Sequence, residues 1–152
     1  MASTDLERRI TELEDIEAIK QLKALYCDIC DDDHNPDRIW RIFAEDGIWE
    51  GGDFGKAQGH EAISKLFTGF QKLISFSQHN VFNPRIRING NRAHGSWYLV
   101  GPFTFREKND ARWIACGYED DYVKINGEWK YQHLRAEIRM VAPYETGWAR
   151  KE

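Results

Sequence analysis

Histidine is the side chain best suited to moving protons near neutral pH, because its ordinary pKa lies there. The 152-residue sequence has five: His34, His60, His79, His94 and His133. His79 is the strongest candidate for chemistry, since Ser77-Gln78-His79-Asn80 enters a strand directly after a helix. His133 alternates with Tyr131, Arg135, Glu137 and Arg139, which places all of them on one strand face by the period of two. That charged face either lines a polar part of a cavity or meets solvent through cross-strand ion pairs. Two further groupings have the composition of metal or redox sites. Cys27-x-x-Cys30 is half a zinc site, but only Cys116 remains to complete it, and zinc takes about four ligands. Both cysteines fall inside a helix rather than at its start, where a redox pair sits. In Asp31-Asp32-Asp33-His34 the ligands are adjacent and diverge, as in most solvated acidic runs. The expectation is therefore no metal. No Gly-rich loop joins a strand to a helix to hold a nucleotide, so no cofactor is expected either.

The elements that must position these residues follow from periodicity. Ile10, Leu13, Ile16, Ile19, Leu22, Leu25 and Ile29 recur every three or four residues, which predicts a helix reaching to about residue 33. Thr11-x-x-Glu14 has the form of a capping box at its start, and the acidic run opposes the helix dipole at its end. Asn35-Pro36 then restarts a helix, with Asn as cap and Pro in the first turn. Residues 47–50 read as a short strand, 51–59 as a glycine-rich loop with Phe54 as a lid residue, and 60–73 as a third helix. Strand-like stretches cover about 75–83, 85–88, 92–104, 112–124 and 128–141, with hairpin signals at Asn89-Gly90 and Asn126-Gly127. Strands joined by tight turns are antiparallel. Helices followed by a meander make an α+β fold.

Composition sets the outer limits. The length suits one domain, 1–152, with its core over about 12–143. The formal charge is −4, and the basic residues are scattered. Without a basic stripe, nucleic acid is excluded as a partner. No apolar run is long enough to span a membrane. MASTDLERR lacks the apolar stretch of a signal peptide and there are only three cysteines, so the expected compartment is cytoplasmic. Aromatics reach 13%, which suits a ligand pocket or an oligomer interface. Trp97 and Tyr98 are adjacent and must face opposite sides of a strand, so both sheet faces carry large aromatics. A monomer would leave an apolar patch, and a homo-oligomer built through the outer face is expected.

Several stretches together resemble the SnoaL-like members of the nuclear transport factor 2-like superfamily. They are Ile16-Glu17-Ala18-Ile19-Lys20-Gln21-Leu22 leading to Tyr26 and Asp31, then Phe43-Ala44-Glu45-Asp46-Gly47 and Gly59-His60-Glu61-Ala62-Ile63. His79 at a strand start, Gly95-Ser96-Trp97-Tyr98-Leu99 and Gly127-Glu128-Trp129-Lys130 complete the set. The resemblance implies a cone-shaped, curved antiparallel sheet wrapped by three N-terminal helices. It points to the branch that contains scytalone dehydratase, bile acid 7-alpha-dehydratase and hexachlorocyclohexane dehydrochlorinase. In that branch an Asp at the end of the first helix pairs with a His on a later strand, and Asp31 and His79 hold those places. Tyr26 matches a Tyr five residues before the Asp, and Arg135 or Arg139 matches an Arg on the last strand. The resemblance favours a homotrimer within the branch and a homodimer in the wider superfamily.

The implied function is a cofactor-free lyase that removes water from a hydrophobic cyclic substrate such as a steroid or polyketide. Neutral His79 would take a proton from carbon, and Asp31 would fix its tautomer and stabilise the imidazolium. Tyr26 or Arg135 would stabilise a developing oxyanion. Trp40, Trp49, Phe54, Trp97, Tyr98 and Trp113 would supply apolar walls. The same proton chemistry would serve a double-bond isomerase, and the fold also hosts non-catalytic binders and dioxygenase β-subunits.

Overall fold

A computed structural model describes residues 4–149; residues 1–3 and 150–152 of the expected domain lie outside the described residues. Helix α1 (Asp5–Asp31) starts one capping box earlier than expected. The Glu7 N–H donates to Thr4 Oγ1 at 3.2 Å, and the Thr4 N–H donates to the Glu7 carboxylate at 2.6 Å. Thr4 therefore caps the helix, and Thr11-Glu14 lies within it. Leu6, Ile10 and Leu13 remain exposed on this projecting start, and continuous burial begins near Ile19. The end of α1 turns through Asp33 and His34, both in the left-handed region at φ 53° and 48°. The His34 N–H donates to the Cys30 carbonyl at 3.0 Å. Helix α2 (Pro36–Ile39) follows, capped by Asn35 and continued by a 3₁₀ turn. Helix α3 spans His60–Leu73.

Seven strands form one open, curved sheet: β1 (Phe43–Glu50), β2 (Lys56–Gln58), β3 (Ile74–Ser77), β4 (Asn80–Asn89), β5 (Arg92–Phe105), β6 (Asp110–Ile125) and β7 (Glu128–Pro143). The order is β2-β1-β7-β6-β5-β3, with β4 also paired to β5. The sheet is mixed, which corrects the expectation of an antiparallel one: β1 runs parallel to β7. Tight turns force antiparallel neighbours only between consecutive strands, and β1 meets β7 across most of the chain. Its partner β2 lies in the stretch expected to be all loop. No described helix is long and apolar enough to cross a membrane.

Two features of the meander position the site. First, β3 and β4 share one edge of β5, and Gln78-His79 bridges them. At this crossing a Cβ on Gly101 would lie 1.9 Å from the Gln78 carbonyl oxygen, so only glycine admits the approach. Second, β7 is bulged against β6. Tyr122 pairs with Tyr131 and Asp121 with His133, which leaves Gln132 as the extra residue. A bulge of one residue exchanges the faces of everything beyond it.

The core fills the concave side of the sheet beneath α1 and α3. Within it Lys23 Nζ reaches Asp120 Oδ2 at 2.8 Å, with both side chains at 1% exposure or less. The Tyr122 hydroxyl donates to the same carboxylate at 3.1 Å. The ammonium also lies 3.3 Å from the Tyr118 ring centroid. Burial still pushes the Asp120 carboxyl above its ordinary pKa, against the pull of Lys23. Removing one member strands the other charge. Lys23→Met should therefore lower unfolding free energy by about 3–5 kcal/mol. The double variant Lys23→Met, Asp120→Leu should recover much of that in urea denaturation.

Candidate active site

The C-terminal end of α1, the start of β4 and one face of α3 enclose an apolar cavity against the concave sheet. Its walls include Trp49, Phe54, Phe67, Phe70, Leu99 and Phe103, and its polar groups are Tyr26, Cys30, His34, Cys116, Tyr118 and His79. Asp31, the last residue of α1, stands at the mouth with 27% of its side chain exposed, whereas His79 is 7% exposed. His79 Nδ1 and Asp31 Oδ1 are 2.6 Å apart. The carboxylate also accepts the His79 backbone N–H at 2.9 Å and the Ser77 hydroxyl at 3.0 Å. Burial alone would raise the Asp31 pKa, but these bonds and the adjacent imidazole outweigh it and hold the group below the ordinary 3.8. An ionised carboxylate only accepts, so Nδ1 carries the proton and Nε2 keeps its lone pair. The His79 ring meets Phe103 edge-on at 5.0 Å between centroids, which fixes its plane.

Tyr26 lies deeper. Its hydroxyl accepts the Trp49 Nε1–H at 3.0 Å, leaving its own hydrogen to donate. Burial pushes its pKa well above 10, so it remains a hydrogen-bond donor. The Tyr26 ring stands 6.4 Å from His79. His34 is buried, lines the cavity and lies 6.0 Å from His79. Burial and the neighbouring His79 bring its pKa down to about 3. The ligating atoms of Cys30, His34 and His79 lie within 4.8 Å of one another, but burial holds the Cys30 thiol firmly protonated.

The profile of the SnoaL-like domain matches residues 11–135. The chain belongs to the SnoaL-like domain family. Solved structures with the same fold include a scytalone dehydratase-like protein from Novosphingobium aromaticivorans, at 21% identity and a TM-score of 0.81, over 90% of this chain and 91% of that one. Hexachlorocyclohexane dehydrochlorinase LinA type 3 from Novosphingobium barchaimii matches at 20% identity and a TM-score of 0.79, over 97% and 100%. A type 2 LinA matches at 21% and 0.81, over 92% and 93%.

This SnoaL-like domain brings together only part of the expected site. Tyr26, His79, Trp49 and Phe54 line the cavity and Asp31 guards its mouth. Arg135 does not reach it: beyond the Gln132 bulge Leu134 points inward, and Arg135 turns outward to Asp121 at 2.8 Å. His133 is likewise outside, bonded to Glu50 at 2.8 Å, so the charged β7 face is an outer one. Arg139 lies over the exposed Tyr98 ring on the convex face. Trp97 is inward but packed at the closed end, where its Nε1–H donates to the Tyr122 hydroxyl at 3.0 Å. Trp113 pairs with Pro102 and shares its outward parity. Trp40 packs on His60 outside the cavity. The residue that sequence reasoning missed is His34, because its inward aim comes from two left-handed residues after the helix.

A neutral buried imidazole has a definite pH signature. The unfolded chain protonates His34 near pH 6.5, and the fold resists this until about pH 3. The stability that its neutrality contributes is present above pH 6.5 and is lost as pH falls through that window. His34→Phe should remove about one proton from the slope of unfolding free energy there, ~1.4 kcal/mol per pH unit. Urea titrations of both proteins from pH 7 to 4 measure the difference.

Proposed function

We propose that this chain is a cofactor-free lyase that eliminates water from a hydrophobic cyclic substrate, a steroid or polyketide in class. The observation that carries the reading is the 2.6 Å His79–Asp31 pair, with its imidazole almost wholly withdrawn from water at an apolar cavity. Charge stabilisation by Asp31 is strong there because little solvent screens it. His79 Nε2 takes the proton from the carbon beside a carbonyl. The freed electron pair forms the carbon–carbon double bond as the bond to the neighbouring hydroxyl breaks. The imidazolium returns its proton to the leaving oxygen, so water departs and His79 is neutral again. Tyr26 donates a hydrogen bond to the carbonyl oxygen as negative charge gathers on it.

Size imposes a condition. The cavity volume is about 60 Å³, below the roughly 150 Å³ that admits benzene in an apolar cavity. Entry of a ring therefore requires a wall to move. Phe54 sits in a short turn between Gly51 and Gly55, half-buried against Phe70, and is the wall with the fewest attachments. A panel of steroid and polyketide hydroxy-ketones, followed by mass spectrometry for loss of water, tests the reaction. Substrate turned over without change of mass would indicate an isomerase instead. On any substrate found, Asp31→Asn and His79→Gln should each lower kcat about 10²–10⁴-fold, with the fold intact by circular dichroism.

The reading extends to assembly. Phe82 and Tyr98 are cross-strand partners on the convex face, both exposed, and Leu6, Ile10 and Leu13 project on α1. These surfaces support a homo-oligomer, a trimer or a dimer. Light scattering at micromolar concentration should give two or three times the 17.8 kDa of one chain; a clean monomer mass would refute the assembly.

A further inference from the structure

Of the five imidazoles, four hydrogen-bond to protein groups: His60 to the Phe43 carbonyl, His79 to Asp31, His94 to Asp121 and Glu119, and His133 to Glu50. His34 has no such bond among the described residues, although only 5% of it is exposed. A buried polar side chain without a protein partner is uncommon and calls for an explanation. The backbone makes the placement specific. Asp33 and His34 both adopt positive φ, a conformation that non-glycine residues enter at a cost. The turn is fastened by the His34 N–H on the Cys30 carbonyl at 3.0 Å and the Asn35 N–H on the Ile29 carbonyl at 3.1 Å. Its result is an imidazole directed back under the helix, between Phe67 and Phe70 at 5.9 and 5.6 Å, into the cavity that His79 also lines.

We infer that His34 is a hydroxyl-binding subsite, which holds the oxygen that leaves from a neutral cyclic alcohol while His79 works on the adjoining carbon. This rests on the elimination reading and adds to it the position of the leaving group. The chemistry fits on both sides. A neutral imidazole presents one N–H and one lone pair, and so does a hydroxyl group, which can accept from the one and donate to the other. Its low affinity for protons keeps it in that form wherever the enzyme operates. The surrounding walls carry no Lys or Arg, so an anionic substituent would lie uncompensated while a neutral hydroxyl is matched. Tyr26 and His34 flank the His79 ring at 6.4 and 6.0 Å. One therefore serves the carbonyl and the other the hydroxyl of a substrate whose reacting carbon faces Nε2.

The test uses the whole chain and two probes of one shape, 1-indanol and indane, titrated by NMR. Wild type should bind 1-indanol about three- to tenfold more tightly than indane, the range of one neutral hydrogen bond. His34→Phe should bring the two affinities together without weakening indane, and His34→Asn, which keeps a donor and an acceptor, should retain part of the preference. Amide spectra of each variant verify the fold. A preference that survives in His34→Phe overturns the inference. So does its disappearance in Tyr26→Phe alone, which would assign the hydroxyl to Tyr26. If neither probe binds wild type, the cavity does not take rings, and the elimination reading falls together with this one. On a turned-over substrate, His34→Phe should lower kcat more than it raises KM, because the bond to the oxygen strengthens as that oxygen departs.

Discussion

A fully buried ion pair at Lys23 and Asp120 sets the placement of everything around the cavity. Two charges without water are tolerable only in close contact and with additional hydrogen bonds. Here the contact is 2.8 Å, with the Tyr122 hydroxyl as a further donor. Sliding α1 by one turn, about 5.4 Å, would separate the charges and leave both unpaired in the core. Apolar packing alone is more forgiving, since a helix face of Ile and Leu can shift by a turn and still be apolar. The pair therefore fixes the register of α1 on β6. From that register follow the positions of Tyr26 in the floor, Cys30 in the wall and Asp31 at the mouth. The charge also lies against the Tyr118 ring, which ties the anchor directly to a wall of the cavity.

The two imidazoles of the cavity show how surroundings assign roles to one side-chain type. His79 meets a carboxylate that is itself held ionised by two further donors from the same short segment, Ser77 and the His79 backbone. Any positive charge arising on its ring is matched by a negative one 2.6 Å away. His34 has only aromatic neighbours and another imidazole, and burial drives it to neutrality. Acid–base assignments elsewhere follow the same logic, in which paired titratable groups are pushed apart by environment. The resulting site has a charged, wet end at Asp31 and a neutral, dry end at Tyr26.

Local signals in the sequence translated directly. Asn126 and Gly127 occupy the two positive-φ positions of the β6–β7 turn, at 50° and 82°, as an Asn-Gly hairpin demands. Asn35 caps α2 as expected. The β4–β5 turn is displaced by one residue: Gly90 and Asn91 occupy it, because Asn89 pairs with Arg92. The alternation of Trp97 and Tyr98 held, but alternation gives a face and not a depth, so Trp97 fell at the closed end rather than in the cavity. What strand periodicity could not carry was a bulge. Gln132 adds one residue to β7, and every assignment beyond it, Arg135 included, changes side. The parallel β1–β7 pair and the inward turn at His34 were equally illegible, since both depend on contacts between distant segments.

The convergence of Tyr26, Asp31 and His79 is also a non-local result. Five residues on a helix turn about 140°, so Tyr26 and Asp31 do not share a face of α1. They do not meet. His79 spans them instead, bonded to Asp31 at the mouth and edge-on to Tyr26 within. Reaching that intermediate position requires the chain to leave β3, pass close over β5 and enter β4 within two residues. The close passage is possible because position 101 has no Cβ to meet the Gln78 carbonyl. The reach of the proton-moving group thus depends on a glycine on a neighbouring strand that has no chemistry of its own. The helix supplies the charge, the strand junction supplies the imidazole, and Gly101 sets how closely they can approach.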